Sequence, residues 1–168
     1  MFSLPVWAGE DAALSRLYAE LLEAPEAEAA MIADEIALEW TKSGSPAMDL
    51  LLRRGKDALE AGDVAAAREH FTALTDHAPD FAEGWHMRAV ARARSGLLGP
   101  AMSDLERALA LEPRHFVALY SLGSLLNEMG REDLAREAFE AARDLNPYDK
   151  DTKEALERLG AAQDGTQL

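Results

Sequence analysis

The chain has 168 residues, 48% of them apolar and 29% charged, enough for one folded domain with its own core. It has no cysteine, which excludes disulfides, thiolate metal ligands and a cysteine nucleophile, and no run long and apolar enough for a membrane-spanning helix. A net charge of −14 argues against nucleic acid and against anionic membrane surfaces as partners, since both recruit Lys and Arg.

Residues 1–9 begin with the apolar run from Phe2 to Trp7. Val6-Trp7-Ala8 ahead of Gly9-Glu10 has the small-residue character of a secretory cleavage site, without the charged start and long apolar stretch that precede one. The segment therefore reads either as an apolar tail or as the remnant of a secretory signal whose true start lies upstream. Location follows that choice: exported or periplasmic in the second case, otherwise cytoplasmic.

Residues 10–47 read as a helix pair, 10–23 and 26–43, broken at Ala24-Pro25, with nine acids against Arg16 and Lys42. Its apolar set is Leu17, Leu21, Met31, Ile32, Leu38 and Trp40. The expectation is a degenerate repeat or cap that covers the open end of the helices following it. The same residues, Trp40 and Ile32 above all, offer a second use as a homodimer contact.

From residue 48 a period takes over. Pro79, Pro113 and Pro147 stand 34 residues apart, and the residues before each repeat one pattern. It reads Leu51, Gly55, Ala67, Phe71, then Trp85, Ala89, Ala101, Leu105, then Leu119, Gly123, Ala135, Phe139. A large residue, a very small one, an alanine and a large one recur without insertion. Each unit, 48–81, 82–115 and 116–149, reads as two antiparallel helices. Ala61-Gly62-Asp63, Ser95-Gly96 and Met129-Gly130-Arg131 mark the turns, with Gly in the left-handed cap and Asp63 capping the next helix. Pro100 falls in a first helical turn, where its missing donor costs nothing. Gly55 and Gly123 lie inside helices, where glycine costs roughly 0.5–1 kcal/mol relative to alanine; their recurrence predicts helices that approach too closely there for a larger side chain. Residues 150–162 form an amphipathic capping helix with Ala155, Leu156, Leu159 and Ala162 on one stripe, and 163–168 are expected to be a disordered tail.

The 34-residue period with these positions is the tetratricopeptide spacing, and the chain resembles the tetratricopeptide repeat family over 48–149. The resemblance implies an all-α fold, an α-α superhelix (solenoid) of three helix pairs between an N-terminal pair and a C-terminal cap. It also implies function. The first helices of successive repeats line a concave face that in this family holds a partner peptide or helix. At the matching offsets that groove shows Leu52, Lys56 and Glu60, then His86, Val90 and Arg94, then Tyr120, Ser124 and Asn127. Members that clamp the acidic terminus of heat-shock chaperones carry Lys and Asn where this chain has Leu52 and Lys56, so that clamp is not expected.

Two features stand apart from the pattern. Arg88 and Arg92 replace apolar residues; the expected arrangement is a packed stem with the charge escaping toward Glu83, Asp104 or Glu106, and the sharper alternative is an acidic-peptide or anion site in the second repeat. The four histidines, His70, His77, His86 and His115, lack the spacing that puts two ligands on one turn. They are read as surface residues, with His86 in the groove, and no metal ligand, cofactor or catalytic residue is assigned. Without a phosphate loop, nucleophile elbow or converging carboxylates, the chain reads as a non-enzymatic interaction module in an assembly or scaffold.

Overall fold

The protein is described by a computed structural model that covers the backbone of residues 8–166 and the side chains of 12–161. Most of the apolar segment 1–9 and residues 167–168 lie outside the described residues. The helices are α1 (Ala8–Glu23), α2 (Glu26–Trp40), α3 (Pro46–Glu60), α4 (Val64–His77), α5 (Ala82–Arg94), α6 (Leu98–Leu111), α7 (Phe116–Glu128), α8 (Glu132–Leu145) and α9 (Lys150–Thr166). No strand occurs among the described residues, and no helix there is long and apolar enough to cross a membrane. Thus α2 ends at Trp40, short of 43, and α9 runs past 162 to Thr166.

The two helices of each repeat are joined by one device. Gly62, Gly96 and Gly130 have φ of 79°, 74° and 71°, in the left-handed region that glycine enters without a Cβ clash. Each turn closes with the same backbone bond: Asp63 N–H to Ala58 O at 2.8 Å, Leu97 N–H to Arg92 O at 2.9 Å, and Arg131 N–H to Leu126 O at 2.8 Å. Asp63 then caps α4 by accepting from Ala66 N–H at 3.0 Å. At the far ends the residues before the three prolines leave the helical region, with ψ of 68° at Ala78, 90° at Glu112 and 86° at Asn146.

Within a repeat the two helices meet at the small positions. A Cβ on Gly55 would stand 2.3 Å from the Phe71 ring, and one on Gly123 would stand 2.6 Å from Phe139. The middle repeat makes the opposite exchange: Ala89 is larger than Gly, and Leu105, in the same cluster, is smaller than Phe. The sum of the two side chains is held while the partners change, as close packing requires.

Arg88 is buried and does not escape to solvent. Its guanidinium grips Asp104 through two bonds of 2.9 and 2.8 Å and gives a third, 2.7 Å, to Thr75 Oγ1. Arg92 reaches the same carboxylate at 2.8 Å. Arg88 and Asp104, one of three acids anticipated for this role, therefore together tie α4, α5 and α6. With both arginines committed to it, they do not present a free anion site.

The N-terminal helix pair departs from expectation. Its core of Leu17, Tyr18, Leu21, Ala29, Ile36 and Trp40 closes on Phe116, Leu145 and Tyr148 of the third repeat, not on the open end of the first. Tyr18 donates its hydroxyl proton to Arg114 O at 2.8 Å, and Tyr148 donates to Ala24 O at 2.9 Å. Trp40 lies edge-on to Phe116 at 4.8 Å. The physical reason is the aromatic content: Tyr18 needs a carbonyl at the margin of an apolar surface, which Arg114 supplies, and the Trp40 ring needs broad apolar cover, which Phe116 supplies. Met31 and Leu38, assigned to the covering face, are instead 61% and 59% exposed.

Candidate functional site

Because the hairpin folds back, α2 becomes a wall of the repeat groove. A cavity of about 400 Å³ lies between Ala37 and Trp40 on α2, Lys56 and Glu60 on α3, and His86, Val90 and Arg94 on α5. Five of the nine groove residues read from the sequence thus share one cavity: Lys56, Glu60, His86, Val90 and Arg94. The other four are elsewhere. Leu52 is buried in the first repeat's core. Tyr120 packs against Phe139 at 5.5 Å between ring centres, and Ser124 and Asn127 are exposed further along α7.

The wall of this cavity is a buried polar cluster. Glu83, in the first turn of α5, receives Lys56 Nζ on Oε1 at 2.8 Å. Its other oxygen, Oε2, stands 3.0 Å from His86 Nδ1 and 3.0 Å from His115 Nε2. Glu83 and His86 are three apart on α5 and so share a face. His115 reaches them as the N-cap of α7: its Nδ1 accepts the Ala118 N–H at 3.1 Å, so Nε2 carries the proton it donates to Glu83. On the other side the His115 ring is stacked under Trp40, 3.8 Å between centroids with planes 17° apart.

Burial alone would raise the Glu83 carboxyl, but the hydrogen bonds from His115 and His86 outweigh it and hold the group well below its ordinary value. His115 is shifted the other way from a salt-bridged histidine, because burial lowers it despite Glu83. A carboxylate held ionised beside an imidazole held neutral is the arrangement expected of a hydrogen-bonded hub.

The reading of all four histidines as surface groups is therefore corrected for two of them. His86 and His115 are 4% and 1% exposed. The cause is Glu83, whose carboxylate inside the stack requires donors. The spacing Glu83-x-x-His86 was visible in the sequence, but the third member, His115, stands 29 residues further on, at the end of the same repeat, as the N-cap of α7. Trp40 had no signal, since nothing in its own helix tells which surface it covers.

The fold has clear relatives. The tetratricopeptide repeat family profile matches residues 52–104 and 101–150. A TPR repeat-containing protein of Rhizobium etli is 35% identical over 147 residues, 87% of this chain and 72% of that protein. DnaJ homolog subfamily C member 3 of Mus musculus is 32% identical over 117 residues, 70% of this chain but only 23% of that much longer protein. Among solved structures, the first TPR of Spaghetti (RPAP3) bound to an HSP90 peptide superimposes with a TM-score of 0.66 at 22% identity, covering 69% of this chain and 92% of that one. The Yersinia enterocolitica secretion chaperone SycD with a peptide of the translocator YopD gives 0.65 at 13% identity, covering 71% and 96%. Both structural likenesses are of fold. By its repeat pattern, its helix pairs and these matches, the chain belongs to the tetratricopeptide repeat family.

Proposed function

We propose that the chain is a non-enzymatic interaction module, serving an assembly or scaffold, that holds a segment of a partner protein in the groove bounded by α2, α3 and α5. The observation that carries this reading is the cavity of about 400 Å³ at that place, with Val90 and Ala37 as apolar lining and Glu60 and Arg94 exposed at its margin. Two solved relatives in fold hold peptides, which supports the class of ligand without naming it. The mixed lining suits an extended segment with an apolar side chain to bury and polar groups to satisfy. Affinity capture from the source cell with the intact chain beside a Val90→Asp, Arg94→Glu variant tests it. A partner lost only from the variant supports the groove, and equal recovery moves the interface elsewhere.

A second reading has its own observation. Met31 and Leu38 are seven residues apart on α2 and exposed, and Leu22 of α1 is 52% exposed. Large apolar groups in that setting suit a second copy of the chain, so self-association through the outer face of the hairpin is the alternative. Sedimentation velocity across concentrations separates the two readings, because only the second predicts a mass that rises with concentration.

A further inference from the structure

We propose that Glu83, His86 and His115 form a binding site for one divalent first-row transition-metal cation, of the kind exemplified by Zn2+. The donors come from two helices, an acid and an imidazole three apart on α5 and the capping imidazole of α7. Their ligand atoms, Glu83 Oε2, His86 Nδ1 and His115 Nε2, lie within 4.8 Å of one another, and all three residues are buried. Two imidazoles and one carboxylate favour such an ion over Mg2+ or Ca2+, which take oxygen.

The geometry is close to what coordination needs. With metal bonds of about 2.0–2.2 Å, tetrahedral ligand atoms stand roughly 3.3 Å apart. Both ring nitrogens already stand 3.0 Å from Oε2. Since both point at that oxygen, the cation takes a place beside it and the carboxylate draws back by on the order of 1–2 Å. The cavity beside the cluster gives it room and leaves a coordination position for water or a partner's side chain.

The surrounding residues orient the set. Lys56 holds Oε1 of Glu83 at 2.8 Å and leaves Oε2 to the site. The Ser121 hydroxyl holds the other ring nitrogen of His86, Nε2, at 3.1 Å. With Nε2 so engaged, Nδ1 is the atom His86 turns to the site, 3.0 Å from Glu83 Oε2. Trp40 fixes the plane of the His115 ring from the opposite side. Such outer partners accompany metal-binding histidines and carboxylates generally.

Three things oppose the site: the His115 cap, the hydrogen bond from His115 to Glu83 that ligation replaces, and the Lys56 ammonium on the same carboxylate. Ligation through His115 Nε2 moves its proton to Nδ1 and gives up the Ala118 cap. A cap of ordinary strength corresponds to a factor of about five to ten in affinity, which three charged and aromatic donors outweigh.

The test is titration of the chelator-stripped full chain with zinc sulfate, followed by calorimetry and by thermal unfolding, with magnesium as the control cation. The expected result is one Zn2+ per chain at micromolar affinity or tighter, a rise in the unfolding midpoint, and no response to magnesium. Glu83→Gln, His86→Gln and His115→Asn, the last keeping an acceptor for Ala118 N–H, each weaken binding at least about tenfold. The pair His70→Gln, His77→Gln leaves it unchanged. Absence of zinc uptake overturns the proposal, as does uptake that survives the three variants or disappears with the surface pair. Should a variant not fold, the unmutated chain decides: zinc must shift the imidazole NMR signals of His86 and His115, and shifts confined to His70 and His77 overturn it.

Discussion

The repeat body and the N-terminal hairpin are both helical, yet they are assembled by different rules. In the body every joint is used more than once: a left-handed glycine closes each turn, a proline ends each second helix, and a small residue faces a large ring or leucine in each pair. In the hairpin nothing repeats. Trp40 on His115 and Phe116, the Tyr18 hydroxyl on Arg114 O and the Tyr148 hydroxyl on Ala24 O attach it at the junction of the second and third repeats. The difference teaches that periodic sequence specifies contacts between neighbours in the stack, whereas docking of a non-repeating element depends on single side chains.

The largest effect should come from a departure from repetition in the body, the Arg88–Asp104 pair. Asp104→Ala leaves the Arg88 guanidinium buried without its carboxylate, and removing one partner of such a pair costs about 3–5 kcal/mol. Urea unfolding followed by helical circular dichroism measures it. A loss below about 1 kcal/mol would show that Arg88 reaches water and that the pair does not join the helices.

Overpacking comes next. Gly55→Leu drives a side chain into the Phe71 ring and should cost about 3 kcal/mol. The comparison is sharpened by a double variant, Gly55→Ala with Phe71→Leu, which imitates Ala89 and Leu105 of the middle repeat. It should recover most of what Gly55→Ala alone loses. If the two substitutions simply add, the positions are not exchanging volume across the interface.

These two cases also mark how far the sequence was legible. Glycine and proline announce themselves because few residues can replace them where the backbone turns or approaches closely, so the turns and the crossing at Gly55 and Gly123 could be read directly. Register also brought five of the nine expected groove residues to one cavity, whose use as a binding groove is what we propose. The hairpin's helices were legible from Ala24-Pro25 and their apolar spacing, but that spacing shows only that a face is covered, not by what. Met31 and Leu38 were therefore assigned to the interior, and Trp40 to the wrong surface. Glu83 and His115 were missed because a buried carboxylate looks identical to a solvated one until its donors, from three helices, are in place.

The hairpin's weaker attachment leads to a third expectation. Trp40→Ala removes the ring stacked on His115 and should cost about 2–3 kcal/mol, less than a fully enclosed tryptophan because the hairpin can separate on its own. Hydrogen exchange should quicken in α1 and α2 and stay unchanged in α5 to α8. Faster exchange throughout would make the hairpin part of one cooperative unit with the repeats.

Acid should find the same junction. With chelator present, His115 remains neutral in the fold and its value is lowered from 6.5, so the unfolded chain takes up a proton that the folded one refuses as pH falls below that point. Glu83, lowered from 4.5, adds a second loss in the same direction further down. Stability should therefore decline from about pH 6.5 downward, and His115→Asn should remove the upper part of that decline. A midpoint that is flat between pH 7 and 5 in the unaltered chain would count against a neutral His115.

The smallest effect on stability is expected where the hairpin faces outward. Met31→Lys with Leu38→Lys replaces two exposed apolar groups on α2, and substitutions at such places usually fall within about 0.5 kcal/mol. Their consequence should appear in mass, not in unfolding. If the outer face of α2 holds a second copy, the double variant becomes monomeric at concentrations where the unaltered chain associates. If both chains sediment alike, the exposed pair is only surface, and the contrast between body and hairpin narrows to the inner face, where Trp40 meets His115.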